Sequence, residues 1–356
     1  MKKAALYNPY LDVLGGGEKH ILSILKIFDE EEFAVDIFWD RDLKKEIKKR
    51  FDLEFNTLNF TANIFKDKNK LNKWKILKNY DYFFYVTDGS YFFSRAKKNY
   101  VFSMVPKKEL YSLNLANRIK LLNFNFITNS KFTQGFLDQW GIKSEVIYPF
   151  ITEKLLENSG VGKEKIILSV GRFFPRLHSK KQTKIVQSFN RLIKYKEFSD
   201  FKLVLAGGLK KEDSEYLEEL KRVVADNKSI ELKINIDYEE LVKLYKKSTF
   251  YWHFTGYGID ENIQPEAVEH LGIAPLEAMA AKAIVFCFNA GGPKEFIVNG
   301  KNGFLFNNEE DLITKMLKIF NNQLLQKEII NNTNKTIVDS FSKNVFKKKV
   351  KDFFQI

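Results

Sequence analysis

The chain has 356 residues, 44% of them hydrophobic and 15% aromatic, which is enough for two cores and rules out a wholly disordered chain. Lys and Arg outnumber Asp and Glu by 58 to 45, a net charge of +13 that favours anionic partners: phosphorylated small molecules, nucleic acid or an anionic membrane surface. A single cysteine, Cys287, excludes an intramolecular disulfide, and no uninterrupted apolar run approaches the ~18 residues of a membrane span.

The N-terminal "MKKAALYNPYLDVLGGG" opens with two lysines, but its apolar run stops at Asn8-Pro9, too short for a signal peptide. A cytoplasmic protein is expected, either in solution or peripheral on the inner face of the membrane. Short β-rich runs then alternate with amphipathic helical patterns, the signature of an α/β fold with parallel sheets. Strands are expected within "KAALYNP", "FAVDIFWD", "DYFFYVTDG", "NYVFSMVP", "NFNFITNS" and "SEVIYPF". A helix from Gly17 to Phe28 places Ile21, Ile24, Leu25 and Phe28 on one face. The polar stretch 151–165 reads as a linker. After it the pattern restarts with "KIILSVGRF", "FKLVLAGG", "IELKIN", "TFYWHFTG" and "AIVFCFNAGG", separated by helices near 181–194, 211–227, 238–247 and 274–282. The tail 334–356 reads as helical, anchored by Phe341, Phe346, Val350 and Phe353. Two α/β domains of similar size with a cleft between them are the economical reading.

Five stretches could carry chemistry, each with a plainer alternative. Gly15 to Gly17 follow the first strand and open a helix, where glycine permits positive φ and close approach of a ligand, and a helix N-terminus suits phosphate. A tight turn explains the same residues. No G-x-G-x-x-G or GK[ST] follows, so neither a dinucleotide fingerprint nor a P-loop is present. Strand "IILSV" delivers Arg172 beyond its C-terminal end, where open α/β sheets bind ligands, with Lys180 and Lys181 at the start of the next helix. These cations suit a diphosphate leaving group, or form a solvated basic loop.

"EHLGIAPLEAMAAK" turns from loop to helix around Pro275, with Glu269 before it and Glu277 in its first turn. Ionised carboxylates near a positive helix end accept paired hydrogen bonds from vicinal sugar hydroxyls, and Gly272 between them admits a ligand to backbone amides. The alternative is a first-turn acid and a surface charge. A two-carboxylate hydrolase stays open but unsupported, since sequence does not fix the spatial separation of the acids. "DRD" at 40–42 has metal-ligand spacing beside a solvent-facing strand end, and His20, His178, His253 and His270 show no zinc spacing, so no metal site is expected. No G-x-S-x-G nucleophile signature is present. "DKNKLNKWKILKNYDYFFY", with Trp74, either lies on an anionic membrane or packs as an ordinary helix on the sheet. No nucleic-acid-binding module is recognisable and the basic residues are dispersed, so nucleic acid is not expected as a partner.

Together these stretches resemble glycosyltransferase family 4, the retaining group 1 glycosyltransferases of GT-B fold. The similarity runs along essentially the whole chain: "GGGEKH", "VTDGS", "ITNSKFTQGFLDQWG", "VIYPF", "VGRFF" with "HSKKQ", "WHFTGYG", and most specifically "EHLGIAPLEAMAAK" followed by "NAGGPKE". The resemblance implies two Rossmann-like domains with parallel sheets facing across a cleft. An acceptor-side domain would span 1–155, a nucleotide-sugar donor-side domain 156–335, and a helix over 336–356 would pack back on the first. It implies transfer of a hexose-type sugar from GDP-mannose or a UDP-sugar to a glycan or lipid-linked acceptor, with no cofactor and no metal. Charge and family habit together leave room for peripheral contact with an anionic membrane.

Carried over residue by residue, the resemblance implies that Gly15 and Gly16 approach the diphosphate or sugar. Arg172 and Lys180 would hold the diphosphate and stabilise the departing nucleotide. Glu269 would meet the donor sugar, Gly272 and Ile273 would offer backbone contacts, and Glu277 would bind the ribose hydroxyls. The chain departs from the pattern in two places. "YVFSMVPKK" lacks the His that many members carry after that strand, and Lys282 stands where a Gly often ends the helix. A non-catalytic sugar-nucleotide-binding or scaffold protein on the same fold is therefore the alternative.

Overall fold

The computed structural model describes residues 1–356 except 67–69, 158–159, 161, 177–178 and 226, and only the backbone of residues 70 and 71. His178 and the start of the Trp74 stretch thus lie outside the described residues. The chain divides into two compact units, Met1–Phe150 with Asn344–Ile356, and Ile151–Lys343.

In the first unit β1 (Lys3–Tyr7), β2 (Ala34–Phe38), β3 (Leu58–Thr61), β4 (Tyr82–Val86), β5 (Lys98–Ser103), β6 (Phe124–Thr128) and β7 (Ser144–Val146) form one sheet in the order β3-β2-β1-β4-β5-β6-β7. Every pairing is parallel. Successive side chains of a strand point to opposite faces, so a sheet covered on both sides needs apolar residues at every position. That is what β4 supplies: Tyr82, Phe84 and Val86 enter one core, Phe83 and Tyr85 the other.

The second unit repeats the plan with β8 (Glu164–Val170), β9 (Lys202–Gly207), β10 (Ile230–Ile234), β11 (Ser248–His253), β12 (Ile284–Phe288) and β13 (Phe304–Phe306), in the order β10-β9-β8-β11-β12-β13. Both orders are doubly wound: strand order reverses between β1 and β4 in one sheet and between β8 and β11 in the other. Ligands of such sheets bind beyond the carboxyl ends of the strands at that reversal.

Sequence pattern missed β3 and β13, strands of four and three residues. The stretch 151–165 is more than a linker, because Ile151 and Leu155 are buried and Glu164 already begins β8. The tail is two helices, Gln323–Phe341 and Lys343–Phe354, broken where Ser342 turns extended (φ −74°, ψ 155°). Phe346, Val350 and Phe354 of the last helix enter the first unit's core, and the Tyr82 hydroxyl donates to the Phe354 carbonyl at 2.8 Å. The helix Lys70–Leu77 packs on the sheet through the fully buried Leu77, and the Arg95 guanidinium lies 4.1 Å over the Trp74 ring.

Candidate active site

The reversal point of the second unit's sheet is charged. Strand β8 ends at Val170, and Gly171 and Arg172 follow along the edge of β9, held by hydrogen bonds from Gly171 N–H to the Ala206 carbonyl and from Phe173 N–H to the Gly208 carbonyl, both 2.9 Å. A Cβ on Gly207 would overlap the Gly171 carbonyl, and one on Gly171 would overlap the Lys180 stem, so glycine is needed at both positions. Lys180 therefore lies flat across the strand end. The Arg172 side chain is exposed with its guanidinium 5.3 Å over the Phe174 ring, while its carbonyl accepts from Gln182 Nε2 at 2.9 Å.

Lys180 reaches Glu269, with Nζ 2.6 Å from Oε2. On the same oxygen, at 2.8 Å, sits Nε2 of His253, the last residue of β11. An ionised carboxylate only accepts hydrogen bonds, so the imidazole donates from Nε2. Burial would raise the Glu269 carboxyl, but the Lys180 charge and the His253 bond overcome it and hold it well below the ordinary carboxylate range. Burial lowers the His253 imidazole, against the pull of Glu269. The result is an ionised Glu269, a neutral His253 and a cationic Lys180. With Oε2 doubly engaged, Oε1 is the oxygen left to accept from a ligand.

The segment 269–272 is pinned from behind by the turn after β12. Gly292 N–H donates to the Glu269 carbonyl at 2.8 Å. A Cβ on Gly291 would overlap that carbonyl, and one on Gly292 would overlap the Leu271 backbone. The double glycine of "NAGGPKE" is thus a close-approach requirement. Glu261, in the loop after β11, accepts from Gly291 N–H at 2.5 Å and pairs with Lys294, tying the loop to the same turn.

Gly272 has φ +103°, open to glycine but strained for other residues, and caps the helix Ile273–Ala280. The helix begins two residues before the expected Pro275. Glu277 is consequently its fifth residue, in the second turn, and the expectation of a first-turn, dipole-favoured acid is corrected. The cause is Gly272, whose left-handed conformation lets helical geometry start at Ile273. Glu277 is 8% exposed, and the buried Tyr245 hydroxyl donates to its Oε2 at 3.0 Å. Lys282 beyond the helix has φ +61°, the left-handed cap expected of it.

The structure brings Lys180, Glu269 and His253 into direct contact, sets Gly272 and Ile273 on the same turn, and places Arg172 at the end of the neighbouring strand. Lys181 is the left-handed cap of the helix Gln182–Leu192 (φ 56°), so of the two lysines it is Lys180 that meets Glu269. Gly15 and Gly16 belong to the first unit, at the start of the helix Gly16–Glu30. None of Gly15 to Gly17 has positive φ, contrary to the reading of that loop. Gly15 N–H is taken by Glu18 Oε2 at 3.1 Å, and a Cβ on Gly17 would overlap Met104. Sequence reasoning missed His253 and Tyr245. The available signal for His253 was its place at the end of the reversal strand, with the parity of Tyr251 and opposite to Phe250 and Trp252, which enter the core. Among the described residues, no three His, Cys, Asp or Glu side chains group as a metal would require, and no helix is long and apolar enough to cross a membrane.

The family described as glycosyl transferases group 1 matches residues 152–336. A human GDP-Man:Man(3)GlcNAc(2)-PP-Dol alpha-1,2-mannosyltransferase is 30% identical over 62% of this chain and 46% of its own length. The alpha-1,3/1,6-mannosyltransferase ALG2 of Dictyostelium discoideum is 29% identical over 62% of this chain and 57% of its own. The chain spans about half the length of the curated relatives it matches. A crystal structure of Anabaena Alr3699/HepE in complex with UDP and glucose superposes with a TM-score of 0.75 at 14% identity over the whole of both chains, a likeness of fold.

Proposed function

The chain belongs to the glycosyl transferases group 1 family of GT-B fold, and from that premise we propose that its second unit binds a nucleotide-diphosphate sugar and that the protein passes the sugar, with retention and without a metal, to a glycan or lipid-linked acceptor. The observation that carries this is the Lys180–Glu269–His253 contact at the reversal of the sheet. It joins a cation suited to a diphosphate with a fixed, ionised carboxylate suited to a sugar hydroxyl.

In this reading Arg172 and Lys180 neutralise the diphosphate, most strongly as it departs and gains charge. Glu269 accepts a hydrogen bond from a hydroxyl of the donor sugar on Oε1, with its carboxylate held by Lys180, His253 and the glycine turn behind it. Backbone N–H groups at Gly272 and Ile273 lie at a helix start without intrahelical acceptors and face anionic or hydroxyl oxygens. Glu277, oriented by Tyr245, receives the ribose hydroxyls. The names of the relatives, which carry GDP-Man and PP-Dol, favour a mannose-type donor and a lipid-diphosphate acceptor. An acceptor of that kind puts the enzyme at a membrane surface.

A second reading has a specific motive. The stretch around β5, where many family members carry a His, has none here; just past β5 stands Met104, a thioether packed on Gly17 that cannot donate a hydrogen bond. A protein that binds the donor without transferring it fits that feature. Incubation with GDP-, UDP- and ADP-sugars while following free nucleoside diphosphate separates the two. Release from one donor is expected; saturable binding with no release from any donor supports the second reading.

A further inference from the structure

The short helix Leu115–Lys120 in the first unit contains no buried residue, and it turns large aliphatic side chains outward. Leu115 is 77% exposed, Ile119 49% and Leu122, in the turn that ends the helix, 83%. Spacings of four and three residues put them along one side. Asn123 Nδ2 donates to the Ser94 carbonyl at 2.9 Å, which brings up the neighbouring loop and its 55% exposed Phe93. Leu121, which is buried, anchors the turn, so these four apolar side chains stand on a fixed platform.

Single exposed apolar residues need no explanation, but a clustered set on one helix marks a surface with a partner. The partner's chemistry follows from the charge around the patch. Between Asp88 and Asp138 the sequence has eight Lys or Arg and one acid, Glu109. Among the described residues Lys107, Lys108, Arg118 and Lys120 make no ion pair, and the Arg118 Nε and Lys120 Nζ atoms bond only to Leu113 and Asn117 close by on the chain. Aliphatic side chains that share their helix with the unpaired Arg118 and Lys120, and follow Lys107 and Lys108 along the chain, match a bilayer whose anionic headgroups meet the cations while the apolar groups enter the acyl boundary.

We propose that the face formed by Leu115, Ile119, Leu122 and Phe93 docks the protein on an anionic lipid bilayer. It rests on the part of the functional reading that puts the acceptor at a membrane, and it moves the contact from the Trp74 helix, whose Leu77 is spent on the core, to the helix that spends nothing there. The test is flotation of the full chain with vesicles of phosphatidylcholine alone and with about one third phosphatidylglycerol, free of any donor or acceptor. Failure on vesicles therefore leaves sugar transfer untouched, and failure of transfer leaves docking untouched. Binding to the anionic vesicles only, falling in high salt, is expected. The triple variant Leu115→Ser, Ile119→Ser, Leu122→Ser should lose at least about tenfold in vesicle affinity. Arg118→Glu, a separate charge variant, should lose about fivefold or more. Both should keep the wild-type melting temperature, since none of these side chains is buried. Absence of wild-type binding, or equal binding by the triple variant, overturns the proposal. So does a wild-type dimer in light scattering that the triple variant dissolves while vesicle binding is unchanged, which makes the face a contact between copies.

Discussion

The two sheets reverse their strand order at equivalent places, yet what stands beyond the reversal differs. Past β8 and β11 come Arg172, Lys180, Glu269 and His253, an ionised cluster. At and past the ends of β1 and β4 come Tyr7, Asn8, Tyr10, Thr87 and Asp88, largely phenols and neutral amide or hydroxyl groups. There the Tyr85 hydroxyl donates to Asp88, and burial, then the Asp88 charge, raises the phenols of Tyr7 and Tyr10. Topology decides where a ligand can sit in each unit, while side chains decide which ligand. The cationic reversal suits a nucleoside diphosphate, and the phenolic one suits an uncharged, hydroxyl-rich molecule.

The largest expected effect tests the charged side of that contrast. Lys180→Met should lower kcat/KM by about 10²–10³, or about 3–4 kcal/mol of transition-state stabilisation. It also leaves the half-buried Glu269 with His253 alone, so the melting temperature should fall. The double variant Lys180→Met, Glu269→Gln should recover the melting temperature and not the turnover. Asp88→Asn, on the phenolic side, should leave nucleotide affinity unchanged. Equal loss of nucleotide affinity in Lys180→Met and Asp88→Asn would erase the contrast.

A smaller effect compares two buried histidines, His20 and His253. His253 rests on a carboxylate, whereas His20, in the first unit, lies against Phe102 at 5.0 Å, and burial lowers its pKa from 6.5 to about 3. The unfolded chain takes up a proton at His20 near its ordinary value of 6.5, and the native unit does not until about 3. Stability should therefore fall as pH drops through 6.5 and go on falling toward 3, by at most about 1.4 kcal/mol per pH unit from this residue. In denaturant melts across that range, wild-type stability minus that of His20→Phe should fall as the pH drops, with the variant showing the flatter curve. Smallest is Lys282→Gly: relief of the left-handed lysine after the helix Ile273–Ala280 should raise stability by about 1 kcal/mol, read as a shift in denaturant midpoint with activity retained.

Most of the architecture could be read from the sequence because both sheets are buried on both faces, which makes their longer strands continuous apolar runs such as "DYFFYV" and "IVFCF". Leu58–Thr61 and Phe304–Phe306 were too short to show any period. At the site, the residue types and loops were legible and their contacts were not. Lys180 and Glu269 are 89 residues apart and His253 and Glu269 are 16 apart, separations for which local pattern holds no information. The second-turn position of Glu277 was hidden for a different reason. A proline suggested the helix start, but a positive-φ glycine three residues earlier set it.

The most direct measurement is a calorimetric titration of nucleoside diphosphate sugars, GDP-mannose first, into wild type and Glu277→Ala. Saturable binding by the wild type, weakened at least about tenfold in the variant, or about 1.4 kcal/mol, is the predicted result. An affinity unchanged by the loss of the Glu277 carboxylate would contradict a donor site in the second unit.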